Sequence, residues 1–90
     1  MSKDTRQFVI RNELGLHARA AAAFVKIANR YRSDIFVSKE SIKVNGKSIM
    51  GVLMLAAAKG MTIDIEADGD DAQDALDALG KLIEEKFGEE

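Results

Sequence analysis

His17 and Arg19 are the residues whose types and spacing can do chemistry in this chain. They lie in Gly15-Leu16-His17-Ala18-Arg19, and His17 is the only histidine. Imidazole is nucleophilic near neutral pH without an external base. A guanidinium two residues on is a planar cation that pairs with phosphate. The stretch sits where a strand-like pattern ends and an alanine-rich helical pattern begins. An anion held there meets unpaired backbone N–H groups and the positive end of a helix dipole, worth about 0.3–2 kcal/mol. The site therefore suits the carriage of a phosphoryl group. Position alone leaves two plain alternatives open: a surface or packing histidine, and an arginine solvated in a first helical turn.

Ser48 is the second candidate. It precedes an apolar run, Ile49 to Leu55, and by pattern it caps a short helix there. That helix is apolar on too many sides for its length. Ile49, Met50, Val52, Leu53, Met54 and Leu55 cannot all point inward, and exposed apolar patches mark partner sites. A short helix buried under loops is the alternative reading. Arg19, Lys26, Arg30, Lys47 and Lys59 are placed to rim the patch and steer an acidic partner.

The elements that must position these residues follow from periodicity. Phe8-Val9-Ile10 reads as a first strand with Phe8 and Ile10 on one side. A loop, Arg11 to Gly15, leads to a helix from Ala18 to Tyr31, where Ala20, Ala21, Phe24, Ile27, Ala28 and Tyr31 share a face. Ser33-Asp34 ends it. Ile35-Phe36-Val37 and Ile42-Lys43-Val44 read as strands joined by a hairpin through Ser38-Lys39-Glu40-Ser41. Asn45-Gly46 signals a turn. The short helix runs from Ser48 to Ala57, with Gly60 as its C-terminal cap. Met61 to Asp68 alternates apolar and polar without a break, which predicts a strand with one buried and one solvated face. Asp70 or Asp71 caps a last helix whose core stripe is Ala72, Ala75, Leu76, Leu79, Leu82 and Ile83. The tail Gly88-Glu89-Glu90 is expected to fray.

The order is strand, helix, strand, strand, helix, strand, helix. One-sided strands require the helices to cover the same face of an antiparallel sheet, an α+β architecture. A ferredoxin-like strand order with an added helix satisfies the same pattern.

Ninety residues are expected to make a single domain, 1–90, with a modest core. Cysteine is absent, which excludes disulfides and thiolate metal sites, and one histidine excludes a histidine-rich one. No metal or cofactor is expected. The net charge of −2 argues against nucleic acid as the main partner. The polar start, Met1 to Gln7, has no apolar signal-peptide core, and no apolar run is long enough to cross a bilayer. A soluble cytoplasmic monomer is the expectation.

Three collinear stretches carry a family resemblance. Ile10-Arg11-Asn12-Glu13-Leu14-Gly15-Leu16-His17-Ala18-Arg19 resembles the active-site signature of the HPr family, the histidine-containing phosphocarriers of the bacterial sugar phosphotransferase system. Asn45-Gly46-Lys47-Ser48-Ile49-Met50-Gly51-Val52-Leu53 is similar to a second segment of that family. Gly60-Met61-Thr62-Ile63 through Gly69-Asp70-Asp71-Ala72 is similar to a third.

The resemblance implies an open-faced β-sandwich, a four-stranded antiparallel sheet with three helices on one face in the order βαββαβα. It implies a stoichiometric carrier, not an enzyme. That carrier takes a phosphoryl group from enzyme I, itself charged by phosphoenolpyruvate, and gives it to an enzyme IIA. It assigns His17 as the acceptor through Nδ1 and Arg19 as a phosphate partner. By the geometry of a helix start, and not by the resemblance, the backbone amides of Ala18, Arg19 and Ala20 would face the added oxygens. The resemblance marks Ser48 as a site for a bifunctional HPr kinase/phosphorylase, and Leu16, Ile49, Met50 and Leu53 as docking positions. Two other readings keep or change the fold: a regulatory paralogue serving a nitrogen-type phosphotransfer branch or a transcription regulator through Ser48, and a ferredoxin-like module binding a small ligand. The family string has proline after the arginine, where this chain has Ala20. Alanine gives up the stiffness of proline but restores a first-turn N–H.

Overall fold

The computed structural model describes residues 3–89. Strand β1 covers Lys3–Val9, helix α1 Ala18–Ala28, β2 Asp34–Lys39, β3 Ile42–Asn45, α2 Ile49–Met54, β4 Thr62–Asp68 and α3 Ala72–Glu84, followed by a short 3-10 turn at Lys86–Gly88. The sheet runs in the order β1-β4-β2-β3 with every pairing antiparallel. The one-sided strand patterns required an α+β sheet covered on one face; the open-faced sandwich is the form of it that the family resemblance implied.

β4 shows the cause most plainly. Ile63, Ile65 and Ala67 are buried beneath the helices, while Thr62, Asp64, Glu66 and Asp68 lie on the open face. Ile35 and Val37 of β2 extend the same apolar layer. The helices close it with Ala20, Ala21, Phe24 and Val25 from α1, Val52 from α2, and Ala72, Ala75, Leu76, Leu79 and Ile83 from α3. Alanines on α1 let that helix sit close to its neighbours. Gly80 does the same on α3, where an added Cβ would stand 2.8 Å from the Phe8 ring.

Several expected boundaries move. β1 begins at Lys3, before the apolar residues that signalled it. Its inward-facing Asp4 and Arg6 reach Gln73 and Asp77 of α3 instead of an apolar partner. α1 ends at Ala28, capped by Asn29, three residues short of Tyr31. The hairpin between β2 and β3 is tighter than four residues, because Lys39 already pairs with Ile42. α2 stops at Met54. Its end is not made by Gly60: Ala56 takes the left-handed backbone (φ 49°), and Gly60 instead donates its N–H to the Ile10 carbonyl at the start of β4. Asp71 is the N-cap of α3, yet its carboxylate does not cap. It accepts from the Arg32 and Ser33 amides and from the Ser33 hydroxyl.

The tail is also a correction. Lys86 and Phe87 both adopt positive φ (59° and 56°), which turns the chain back after α3. Phe87 then packs on the core and Glu89 is hydrogen-bonded; Glu90, the last residue of the predicted frayed tail, lies outside the described residues. Among the described residues no helix is long and apolar enough to cross a membrane.

Candidate functional site

β1 delivers the chain to the site, and the loop from Ile10 to Leu16 shapes it. Gly15 is the pivot. Its φ of +65° is a left-handed conformation that a side chain resists. An added Cβ would also overlap the Ala57 carbonyl and lie 2.9 Å from the Ala58 Cα. The next amide, Leu16, donates to that same Ala57 carbonyl at 2.9 Å. The segment after α2 is thus the wall against which the loop turns.

The turn places His17 at the N-cap of α1 with extended backbone (φ −77°, ψ 179°). Its side chain does not cap the helix, so the imidazole is left for other work. The first helical bond runs from the Ala21 amide to the His17 carbonyl at 2.8 Å. The Ala18, Arg19 and Ala20 amides have no backbone acceptor among the described residues. These are the unpaired N–H groups that an anion at a helix start can use. Arg19 is exposed, and among the described residues it makes no salt bridge.

His17, Arg19 and Ala20 line one small pocket together with Leu14, Phe87 and Glu89. The imidazole is half-buried, with Nδ1 3.1 Å from the Gly15 carbonyl oxygen. The Glu89 carboxylate accepts from Asn12 Nδ2 at 3.0 Å and from the Leu14 amide at 3.2 Å. The Asn12 bond, followed by the backbone amides and the nearby His17, holds the Glu89 carboxyl below the usual glutamate range, against the opposing effect of partial desolvation.

Sequence reasoning found His17, Arg19 and Ala20 here and missed four neighbours: Asn12, Leu14, Phe87 and Glu89. Asn12 stood inside the signature but was read as loop; an asparagine three residues before a turn glycine was the available signal. Phe87 and Glu89 come from the far end of the chain, and nothing local announced their return.

Ser48 does what its position predicted: its Oγ accepts from the Gly51 amide at 3.1 Å. The expected docking patch divides. Ile49 and Met50 are exposed, Leu53 is half-buried, and Leu16 is only 4 % exposed, so it belongs to the core. Met54, at 70 %, is another of the α2 residues that could not all point inward, and Leu14, at 65 %, presents apolar surface that the sequence pattern does not assign.

A second recess, lined by Arg32, Gly69, Asp70, Asp71 and Asp74, lies at the opposite end of the sheet, where β4 leaves it. Its central carboxylate is consumed by structure: the Ser33 hydroxyl first, then the Arg32 and Ser33 amides, hold Asp71 at about 2, against partial desolvation. Among the described residues no cluster of histidines and carboxylates is arranged to hold a metal.

Comparison with known proteins bears on the pocket at His17. A family model described as "PTS HPr component phosphorylation site" matches residues 4–85. The phosphocarrier protein HPr of Neisseria meningitidis is 53 % identical over 78 residues, covering 87 % of this chain and 88 % of that protein. The HPr-like protein Crh of Bacillus subtilis is 46 % identical over 77 residues, covering 86 % of this chain and 91 % of its own. The crystal structure of an HPr from Thermoanaerobacter tengcongensis superposes with a TM-score of 0.93 at 47 % identity, covering 97 % and 98 % of the two chains.

Proposed function

The chain belongs to the HPr family of phosphotransferase-system phosphocarriers, and on that premise we propose that His17 is the residue that carries the phosphoryl group. The observation that carries this reading is the placement of the half-buried imidazole at the start of α1, beside three amides without backbone acceptors. In the transfer, a ring nitrogen lone pair forms the N–P bond while the bond from phosphorus to the donor breaks, its electron pair leaving with the donor. The Ala18, Arg19 and Ala20 amides and the Arg19 guanidinium stabilise the phosphoryl oxygens. Phosphoryl transfer needs mainly such positioning and charge stabilisation.

The donor is enzyme I and the acceptor an enzyme IIA. The protein is consumed and regenerated by these partners, so it is a carrier and not an enzyme. It acts as a cytoplasmic monomer. Exposed Ile49 and Met50, with half-buried Leu53, form the docking patch beside the pocket. Leu16, a core residue, is not part of its exposed surface. Ser48 is the regulatory site for a kinase of the HPr kinase/phosphorylase type; its modification would place charge next to this patch, at a helix start whose dipole and free amides tolerate it.

Incubation with phosphoenolpyruvate and enzyme I from the same organism, read by intact mass, tests the reading. A single acid-labile phosphoryl adduct, absent in His17→Ala, is expected. No adduct, with a control HPr labelled in the same mixture, overturns it.

A further inference from the structure

Asn12 is fully buried in a loop whose neighbours Arg11, Glu13 and Leu14 are exposed. Its Nδ2 donates to the Gly15 carbonyl at 2.8 Å and to Glu89 Oε2 at 3.0 Å. Both partners can only accept, which fixes the end of the amide that is nitrogen. Its Oδ1 is buried without a partner among the described residues. A loop asparagine that leaves one oxygen dry is held for what its nitrogen does.

The Gly15 carbonyl oxygen that Asn12 grips also faces His17 Nδ1, at 3.1 Å. The loop around it is closed on every side. The Gly15 amide donates back to the Asn12 carbonyl at 3.2 Å, the Leu16 amide is tied to Ala57, and Gly15 is buried. The carbonyl therefore has a fixed direction, and a nitrogen facing a carbonyl oxygen must bear the hydrogen.

We propose that Asn12 is a positioning residue for phosphoryl transfer: through the Gly15 carbonyl it holds resting His17 as the Nδ1–H tautomer, and it keeps that carbonyl hydrogen-bonded when a phosphoryl group replaces the Nδ1 proton. The second part rests on the carrier reading above. When transfer occurs at Nδ1, the ring proton passes through solvent to Nε2, so the imidazole keeps one proton. The Nδ1 lone pair then forms the N–P bond, and the bond from phosphorus to the donor breaks with its electron pair going to the donor. The phosphorylated nitrogen offers the Gly15 oxygen nothing. Without Asn12 that buried oxygen would lose its last side-chain donor, and the phosphorylated form would be disfavoured.

Two measurements separate the parts. Long-range 1H–15N spectra of histidine-labelled protein, recorded where the ring is neutral, report the tautomer. Wild type and Glu89→Gln are expected to show Nδ1–H, and Asn12→Ala to shift toward Nε2–H. A wild-type ring that is mainly Nε2–H overturns the holding role with no variant needed. The phosphorylated fraction in a mixture of enzyme I, phosphoenolpyruvate and pyruvate reports the equilibrium. Its constant is expected to fall about 10-fold in Asn12→Ala, the scale of one buried hydrogen bond. An equal constant in a variant whose amide spectrum remains dispersed overturns the transfer role. Absence of any adduct on wild type would sink the carrier reading and the transfer role together, whereas the tautomer spectrum would still decide whether the clamp exists.

Discussion

Replacing Gly15 by alanine tests whether the loop that presents His17 is built as described. Two costs combine. The residue must keep a φ of +65°, which costs a non-glycine residue about 1–2 kcal/mol. The new Cβ also overlaps the Ala57 carbonyl and stands 2.9 Å from the Ala58 Cα, both backbone atoms that cannot rotate away. Relief requires the loop and the segment after α2 to part, which sacrifices the 2.9 Å bond from the Leu16 amide to Ala57, worth about 0.5–1.5 kcal/mol. The sum is about 1.5–3.5 kcal/mol. Gly60→Ala is the matched control. Its φ is +90°, but an added Cβ meets nothing within 4 Å, so only the conformational cost applies. The gain that alanine brings by restricting the unfolded chain is common to both and cancels in the difference. Urea unfolding followed by circular dichroism measures each midpoint; with a slope of about 1–3 kcal/mol per molar, Gly15→Ala should unfold at about 0.2–1.5 M less urea than Gly60→Ala. Equal midpoints would refute the close approach of the loop to Ala57.

Three further outcomes follow from the same geometry. Ala20→Pro removes one of the three free amides at the pocket without breaking a helical bond, because that amide has no backbone acceptor among the described residues. Its phosphohistidine is expected to shorten in half-life and its transfer equilibrium to weaken about 10-fold, and identical lifetimes and equilibria would remove Ala20 from the site. Ser48→Ala deletes the cap bond to Gly51, and calorimetry should show a loss of about 0.5–2 kcal/mol, with faster amide exchange confined to α2. The Asp71 carboxyl is lowered from 3.8 to about 2, so its stabilisation is complete above pH 4 and is lost as pH falls through 2. Acid-unfolding curves of Asp71→Asn should therefore converge on wild type below pH 2 and fall beneath it above pH 4; parallel curves throughout would contradict that account.

The parts of the fold legible in the sequence are those where one face is apolar and the other wet. β4 alternates through Ile63, Ile65 and Ala67, and α3 carries Ala72, Ala75, Leu76, Leu79 and Ile83 at helical spacing; both lie as their patterns require. β1 was half invisible for the complementary reason. Asp4 and Arg6 point to the helix side but meet Gln73 and Asp77 at a polar margin, so no alternation marks them. The end of α2 was misplaced because Ala56, not a glycine, takes the left-handed turn, a conformation set by surrounding contacts that alanine does not advertise. At the site, His17, Arg19 and the helix start were readable because they are adjacent in the chain. Phe87 and Glu89 complete the pocket through a C-terminal return made by two consecutive left-handed residues, which leaves no local signature, and the buried Asn12 shows its role only once Glu89 arrives to accept from it.

The central claim is that a phosphoryl group on His17 is held by the start of α1. Backbone 1H–15N spectra of the protein before and after phosphorylation test it most directly. The account predicts that the Ala18, Arg19 and Ala20 amide resonances move downfield together as the adduct forms, and that His17→Ala shows neither adduct nor shift. An adduct that leaves these three amides in place while moving others would contradict it.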